Sequence, residues 1–336
     1  MPIEIGIIGA GDWGKNHIRN FAQLPGVRLA KVCDLDAKRL KYVQANYPQV
    51  ATTDKSEELL TDQSLAGLVI TSSAKTHYAL AKAALLAGKD VLVEKPLSLH
   101  AREAEELIKI ARDKKRILMV GHLLRYHPAV NKIKEFITSG ELGEVYYIYT
   151  QRLNLGKIRQ DENALWSFAP HDFSVAFYLL GEEPLSVSAH GSVYLQKGIQ
   201  DVVFANVGFA KGKLVHVHIS WLDPHKTRKI TVVGSKKMLV FDDLEPTEKI
   251  KLYDKGADKQ VSYDTYAEYI GLRFGDVVIP HLKLSEPLRD ECLHFIKCVR
   301  ERQSPLTGGE EGLKVVRVLE AAQQSMEQAG MPVKLT

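Results

Sequence analysis

The segment that decides the fold is IEIGIIGAGDWG, residues 3–14. Its first part, Ile3–Ile8, is mostly apolar and predicts a short buried strand. The pattern G-x-G-x-x-G follows at once, and its glycines are Gly9, Gly11 and Gly14. In dinucleotide-binding folds the first glycine permits a tight turn, the second lets backbone N–H groups approach a pyrophosphate, and the third lets helix pack on strand. A helix predicted for Lys15–Leu24 would turn its positive dipole end toward the phosphates. Two further loop residues are predicted to contact this cofactor: Asp12 and Trp13.

An acidic residue ends the second predicted strand, Val27–Val32. Asp34 lies about 20 residues past the last glycine, where a carboxylate can accept hydrogen bonds from the adenosine ribose. It would also repel a 2′-phosphate, so the sequence favours NAD over NADP, although Lys38 and Arg39 follow closely. The structural alternative is that Asp34 caps a helix predicted for Ala37–Asn46.

Strands and helices alternate over the first third of the chain, which predicts a doubly wound parallel sheet. Further strands are predicted at Leu65–Ile70, Val91–Val93 and Ile117–Val120, with helices up to Gly88 and over Leu99–Arg116. Ligands bind at the carboxyl ends of such strands. The candidate cofactor residues there are Thr71, Ser72, His77, Glu94, Lys95 and His122. For His77, a capping or packing role is the alternative.

Lys95 is the strongest single candidate because it follows a buried strand directly, in the sequence Glu94-Lys95-Pro96. An ammonium group is costly to desolvate unless it is paired or used. Pro96 disfavours a helical conformation at Lys95 and permits a cis bond at modest cost. An ordinary ion pair at a strand end is the alternative.

From residue 123 onward the chain is rich in strands and predicts a large, mostly antiparallel open sheet. The clearest strands are Val145–Arg152, Ser186–Tyr194, Val202–Ala210, Leu214–Trp221 and Arg228–Val233. Helices are predicted from His127 to Gly140, over Asp172–Leu180, Leu288–Arg302 and Glu310–Gln328, whereas Lys251–Arg289 is predicted to be extended and irregular. We therefore expect two domains: residues 1–122 bind the dinucleotide, and residues 123–336 bind substrate and form oligomers.

Composition excludes several classes of function. The 336 residues contain 45 basic and 41 acidic residues, a net charge of +4, without the concentrated basic face of a nucleic-acid binder. Three cysteines, Cys33, Cys292 and Cys298, predict neither a disulfide framework nor a zinc site, and we expect no metal ion. No apolar run approaches the roughly 20 residues that span a bilayer. The N-terminus lacks a signal-peptide pattern, so we expect a cytoplasmic enzyme that binds no membrane.

Several motifs together resemble the glucose–fructose oxidoreductase and inositol dehydrogenase family, called Gfo/Idh/MocA. Beside the glycine loop and Glu94-Lys95-Pro96, they are the segments GHLLRYHP (121–128), GELG (140–143), PHD (170–172) and TGGEEG (307–312). The resemblance covers nearly the whole chain. It implies an N-terminal Rossmann domain, and a C-terminal α/β domain whose open sheet mediates homodimers or homotetramers.

The chemistry implied by this resemblance is hydride transfer between a nicotinamide and a carbohydrate or polyol hydroxyl. Lys95 and His171 match the catalytic lysine and histidine of the family, whereas Ser167 stands where many members carry an aspartate. Either Lys95 or His171 would serve as the base. Asp172 is predicted to be an N-terminal helix residue, and without the resemblance His171 would read as a helix cap.

The segment QRLNLGKIR, residues 151–159, resembles relatives of nucleotide-sugar pathways. This resemblance implies a UDP-N-acetylhexosaminuronate as the substrate, oxidised at its 3-hydroxyl. The cations of the segment suit carboxylate or phosphate groups, and the alternative is a solvated loop. The candidate substrate residues are Lys95, Arg125, Arg152, Asn154, Arg159, Trp166 and His171. Other expectations are an inositol or simple-sugar dehydrogenase, or a dinucleotide-binding regulator without catalysis.

Overall fold

The computed structural model describes residues 2–261 and 268–335. The chain forms two compact units: residues up to Tyr126 together with Ser285–Glu320, and His127–Leu284 together with the residues from Ala321. The division into domains 1–122 and 123–336 stays a prediction.

The first unit is built on a six-stranded, all-parallel sheet in the order β3-β2-β1-β4-β5-β6. Its strands are β1 (Ile3–Ile8), β2 (Val27–Cys33), β3 (Ala51–Thr53), β4 (Gly67–Ile70), β5 (Asp90–Glu94) and β6 (Leu118–Gly121). The helices between them are α1 (Asp12–Gln23), α2 (Ala37–Asn46), α3 (Glu57–Thr61), α4 (Ala74–Leu86) and α5 (Ala101–Asp113). This arrangement confirms the predicted doubly wound parallel sheet.

Burial explains why the central strands read as continuous apolar runs. Every residue of β4, β5 and β6 is buried, because helices cover both faces of the sheet. The strand order reverses between β1 and β4, which is the topological switch point where open α/β sheets bind ligands. A 3-10 helix, Leu123–Tyr126, follows β6. The C-terminal helices are α8 (Pro287–Glu301) and α9 (Gly309–Glu327).

The second unit carries a nine-stranded sheet in the order β14-β13-β12-β11-β7-β10-β9-β8-β15. Its strands are β7 (Val145–Leu155), β8 (Ser186–Ser192), β9 (Val202–Gly208), β10 (Leu214–Ser220), β11 (Leu222–Gly234), β12 (Met238–Asp242), β13 (Ile250–Val261), β14 (Glu268–Val278) and β15 (Val333–Lys334). Helix α6 (Pro128–Thr138) precedes β7, and helix α7 (Ala164–Leu180) follows it. Only the β7–β10 pair is parallel among the described pairs, so the predicted mostly antiparallel sheet is confirmed.

Two elements differ from the sequence prediction. The predicted helix Asp172–Leu180 begins eight residues earlier, at Ala164, because Asn163 caps it by accepting the N–H of Trp166 and Pro170 lies inside the helix. The stretch predicted to be irregular contains the long strands β13 and β14, which pair with each other. Residues 262–267 of that stretch lie outside the described residues. No helix within residues 2–261 and 268–335 is long and apolar enough to cross a membrane.

Candidate cofactor and catalytic site

The glycine loop after β1 has the geometry that its sequence predicts. Gly9 adopts φ +105°, and a Cβ there would lie 2.8 Å from the backbone nitrogen of Ser72. A Cβ on Gly14 would lie 2.2 Å from the carbonyl oxygen of Gly9, so α1 can approach the loop only with glycine at this position. At Gly11 a Cβ would meet only the Arg39 side chain, at 3.6 Å. The backbone before α1 is therefore open on one side, a cradle that fits a pyrophosphate.

Asp34 is buried at the end of β2 and braces this loop. Its Oδ2 accepts the backbone N–H of Ala10 at 2.6 Å, and its Oδ1 accepts that of Asp36 at 2.8 Å. The half-exposed guanidinium of Arg39 lies 3.3 Å from Oδ2. Asp36, not Asp34, caps α2 by accepting the N–H of Lys38. The helix-cap alternative for Asp34 is therefore wrong.

A cleft lies beside Asp34. It is lined by Leu35, Ala37, Leu40, Gln44, Thr52, Thr53, Asp54 and Glu58. Three of these side chains are apolar, and five are polar or charged.

Three polar residues after β4 hold neighbouring loops together. The Thr71 hydroxyl donates to the Gly9 carbonyl at 2.7 Å, which ties β4 to the glycine loop. The buried His77 ring lies between two carbonyl oxygens, with Nδ1 2.7 Å from Pro96 O and Nε2 3.1 Å from Ser72 O. Burial lowers the pKa of His77, so the neutral ring donates to one carbonyl, for which the shorter contact to Pro96 is the better candidate. His77 thus has a clear packing role, and its contact with a cofactor stays a prediction.

Glu94 and Lys95 lie at the carboxyl end of β5, and the Lys95–Pro96 peptide bond is cis. Glu94 Oε1 lies 2.8 Å from Nε2 of the fully buried His17, and Oε2 accepts the backbone N–H of Lys95 at 3.2 Å. Burial acts to raise the pKa of Glu94, but the hydrogen bond and charge of His17 and the charge of Lys95 outweigh it and hold the pKa below its ordinary value. A fixed carboxylate therefore lies next to the partly exposed Lys95.

Two residues of α8 complete this buried cluster. Cys292 Sγ lies 3.8 Å from His17 Nδ1, and burial raises the pKa of its thiol well above the ordinary value. Glu291 is fully buried, and neither of its carboxyl oxygens has a hydrogen-bond partner among the described residues. Burial, and then the charge of Glu94, raise its pKa well above the ordinary value. The negative charge of the cluster therefore resides on Glu94.

His122 and Arg125 follow β6. His122 is buried, and neither ring nitrogen has a hydrogen-bond partner within the described part of the chain. Burial, and then the charge of Arg125, lower the pKa of His122 to about 3, so this imidazole is neutral. Arg125 is buried in the 3-10 helix and pairs with Glu311 of α9 at 3.0 Å. Its predicted role in substrate binding is not tested by this pairing.

In the second unit, His171 lies in the interior of α7, one turn after Ser167. The expectation that His171 precedes a helix is therefore wrong. Asp172, its neighbour, is buried and binds Arg152 of β7, with Nε 2.7 Å from Oδ2 and Nη2 3.4 Å from Oδ1. Asp172 is thus an interior helix residue, not the N-terminal one predicted. Arg152 is already engaged in an ion pair.

The remaining candidate substrate residues lie after β7 and at the start of α7. Asn154 folds over Gly156, where a Cβ would lie 2.3 Å from the amide nitrogen of Asn154. Arg159 Nε lies 3.6 Å from Glu162 Oε1, a partly exposed contact that is longer than a hydrogen bond. Trp166 is half-buried in the first turn of α7. The assignment of these residues to substrate stays a prediction.

Sequence reasoning did not assign a role to His17, Glu291 or Cys292. For His17 and Glu291 the position in the sequence carried a signal. His17 lies one turn after Gly14 on the helix that packs on the sheet, and Glu291 is one turn before the inward Phe295. What connects them to Glu94 is a set of contacts across at least 77 residues of sequence, which only the fold reveals. Among residues 2–261 and 268–335, no group of three or more His, Cys, Asp or Glu side chains could hold a metal ion.

Comparison with known proteins agrees with this geometry. Residues 3–122 match an oxidoreductase family with an NAD-binding Rossmann fold, and residues 134–335 match the C-terminal α/β domain of the same family. The chain belongs to this family, Gfo/Idh/MocA, as the sequence motifs predict.

Several relatives are named as dehydrogenases. Myo-inositol 2-dehydrogenase of Thermotoga maritima is 26% identical over 337 residues, which cover 97% of this chain and 97% of the relative. UDP-N-acetylglucosamine 3-dehydrogenase of Acidithiobacillus ferrooxidans is 28% identical over 263 residues, 76% of this chain and 79% of the relative. A solved structure of the latter enzyme matches with a TM-score of 0.82 at 24% identity, covering 98% of this chain and 99% of that one, which shows the fold.

The class of activity follows from the family and its relatives. The chain is an NAD-binding oxidoreductase, a nicotinamide-dependent dehydrogenase that acts on CH–OH groups. The expectation of a non-catalytic regulator is set aside by this finding.

Proposed function

We propose that the chain oxidises the 3-hydroxyl of a UDP-N-acetylhexosaminuronate with NAD. The observation that carries the chemistry is the position of Lys95. It follows a buried carboxylate at the end of β5, two strands from the glycine loop of β1 in the same sheet. The 28% identical relative that is a UDP-N-acetylglucosamine 3-dehydrogenase supports the sugar nucleotide as the substrate class.

Oxidation of an alcohol removes a proton from oxygen as hydride leaves carbon. A bound nicotinamide would accept the hydride. The chain must supply the group that holds the oxygen and takes its proton, and such a positioned group typically contributes 10²–10⁴-fold. We assign this task to Lys95 and His171, either of which can be the base. Because Ser167 cannot ionise in the working pH range, these two residues share the proton work without the aspartate of other members.

NAD is the proposed cofactor. The carboxylate of Asp34 lies at the end of β2, where it would accept ribose hydroxyls and repel a 2′-phosphate. Its bond to Ala10 keeps it beside the glycine loop. Arg39 is a competing feature, because a guanidinium released from Asp34 would suit a phosphate. NAD specificity therefore depends on the Asp34–Arg39 pair staying closed.

The acidic groups of the substrate need cations that are not already neutralised. Arg152 is fixed by Asp172, so its predicted contact with substrate is weaker support than the sequence alone suggested. Arg159, with its long contact to Glu162, is the better candidate for a uronate carboxylate or a phosphate. Its role stays a proposal.

A second candidate function is inositol or simple-sugar oxidation. It is favoured by the myo-inositol 2-dehydrogenase relative, whose match covers 97% of this chain against 76% for the sugar-nucleotide enzyme. The two candidate functions differ in whether the substrate carries a diphosphate.

Assembly through the open sheet is part of the proposal. α7 packs on one face of β7, β9 and β10. The other face presents half-exposed apolar side chains: Tyr147 lies opposite Leu214, and Phe204 lies opposite His218. An apolar surface of this kind is typical of interaction sites, and a homodimer or homotetramer would cover it. Location in the cytoplasm stays a prediction.

The test is NADH formation at 340 nm with purified protein and a panel of substrates. The panel contains UDP-N-acetylglucosaminuronate, UDP-N-acetylglucosamine, myo-inositol, scyllo-inositol and glucose, each with NAD and with NADP. The proposal expects the highest kcat/KM for the UDP-uronate with NAD, and loss of that preference in the Arg159→Ala variant. A higher kcat/KM for an inositol than for both UDP-sugars would overturn the substrate assignment.

A further inference from the structure

A continuous chain of buried polar contacts leads from α8 to Lys95. Cys292 Sγ lies 3.8 Å from His17 Nδ1, and His17 Nε2 lies 2.8 Å from Glu94 Oε1. Glu94 Oε2 then accepts the backbone N–H of Lys95 at 3.2 Å. His17 and Cys292 are fully buried, and the Glu94 side chain is 7% exposed. Contacts sealed from solvent in this way have one defined hydrogen-bond arrangement.

The protonation states of Glu94 and Cys292 determine which atoms donate and which accept in these hydrogen bonds. An ionised Glu94 can only accept, so Nε2 of His17 must carry the hydrogen that points to it. Nδ1 then faces Cys292 Sγ at 3.8 Å, and in the tautomer with its hydrogen on Nε2 it would accept from the thiol. The cluster resembles the Cys-His-acid arrangement of nucleophilic catalysis. However, burial raises the pKa of Cys292, and a neutral, buried thiol is inert.

Glu94 accepts hydrogen bonds from the side chain of His17 and from the backbone of Lys95. The titratable groups that face Glu94 are His17 on α1, His77 on α4, Lys95 at its own strand end, His122 after β6, and Glu291 and Cys292 on α8. Burial raises the pKa of Glu291 and lowers the pKa of His77 and of His122, so it favours the neutral form of each. His17 and Lys95 are therefore the groups that oppose the cost of burying the Glu94 carboxylate.

We propose that His17 is a positioning residue for Lys95: its Nε2–H keeps Glu94 ionised in the core, and the Glu94 charge favours the ammonium form of Lys95. The inference rests on the proposed function only in giving Lys95 a chemical task. If Nε2–H is removed, a buried carboxylate without its donor takes up a proton instead. The ammonium form of Lys95 then loses its neighbouring anion. The role of His17 is thus to set the pH range over which Lys95 exchanges a proton.

The test measures the protonation of Lys95 without substrate or cofactor. Competitive labelling with acetic anhydride, read by peptide mass spectrometry between pH 7 and 11, gives the pH at which Lys95 is half deprotonated. The variants are His17→Gln, whose amide nitrogen replaces Nε2, and His17→Asn, whose amide replaces Nδ1 and cannot reach Glu94. Glu94→Gln removes the charge with little change in shape. Glu291→Gln alters a neutral acid of the same cluster and is the matched control.

The half-point of Lys95 labelling is expected to fall by roughly one pH unit or more in His17→Asn and Glu94→Gln, the effect of losing a nearby opposite charge. At a fixed pH below the half-point this is about tenfold faster labelling. His17→Gln and Glu291→Gln are expected to match wild type. If His17→Asn does not fold, the comparison of the Lys95 half-point in Glu94→Gln with that in Glu291→Gln decides the test. A wild-type half-point in Glu94→Gln, or in folded His17→Asn, overturns the inference. Failure of the substrate panel would refute the proposed function but leave this labelling result standing.

Discussion

Replacing Glu291 by glutamine should stabilise the protein, and more so as the pH rises. Glu291 is fully buried, and neither carboxyl oxygen has a hydrogen-bond partner in the described part of the chain. Burial and the charge of Glu94 raise its pKa well above 4.5. An acid with a raised pKa contributes its full stability below the unfolded-state pKa and loses it as the pH rises toward the folded-state pKa. Wild type therefore loses stability above about pH 4.5 by keeping Glu291 neutral, whereas the uncharged amide of the Glu291→Gln variant has no such dependence.

The size of the effect follows from proton linkage. For each pH unit in which folded Glu291 stays neutral while the unfolded chain ionises, wild type loses about 1.4 kcal/mol relative to the variant. With about 2.1 cal/mol/K of unfolding entropy per residue, each such step of 1.4 kcal/mol would shift the Tm of a 336-residue chain that unfolds as one unit by roughly 2 °C.

Differential scanning calorimetry of wild type and Glu291→Gln across this pH range measures the difference directly. Glu144→Gln, at an exposed glutamate of the second unit, controls for the general loss of one carboxylate. The difference in Tm between wild type and Glu291→Gln should widen as the pH rises. The difference in Tm between wild type and Glu144→Gln should stay constant. If the Tm of Glu291→Gln does not rise above that of wild type between pH 4.5 and 7.5, then Glu291 is ionised and hydrogen-bonded in the fold. The assignment of the negative charge of the cluster to Glu94 would then be wrong.

Two further substitutions probe the cofactor site and the second unit. Asp34→Ser removes the acceptor that braces Ala10 and frees Arg39. The ratio of kcat/KM with NADP to kcat/KM with NAD should therefore rise about tenfold or more, which corresponds to about 1.4 kcal/mol. An unchanged ratio would exclude Asp34 from cofactor selection. Arg152→Met leaves the carboxylate of Asp172 buried without its ion-pair partner. Urea unfolding should show a loss of about 3–5 kcal/mol, and a loss below 1 kcal/mol would mean that the pair does little for the fold.

Local patterns predicted the first unit well. The glycine loop is encoded within six residues, and its turn, its close approaches and the following helix all appear in the structure. The continuous apolar runs of β4 to β6 are readable because both faces are buried. Lys95 was found from its position after such a run, with no knowledge of its neighbours.

Features that depend on distant residues were not predictable. The sequence predicted a helix start at Asp172, but the true start is set eight residues earlier by the Asn163 cap, and the helix contains Pro170 in its interior. The apolar side chains of β14, such as Ile270 and Phe274, alternate along the strand but are exposed. An alternating apolar pattern usually marks a buried face, and in this strand it does not. The His17–Glu94 contact joins residues 77 positions apart.

The central claim is that Lys95 handles the proton of the oxidised hydroxyl. NADH formation by Lys95→Ala, with the best substrate of the panel, tests it most directly when NAD binding is measured in parallel by calorimetry. Lys109→Ala, at an exposed lysine of α5, is the matched control. We expect kcat/KM of Lys95→Ala to fall about 10²–10⁴-fold, with the Kd for NAD nearly unchanged and the control equal to wild type. Turnover within tenfold of wild type in a folded Lys95→Ala protein would contradict the assignment.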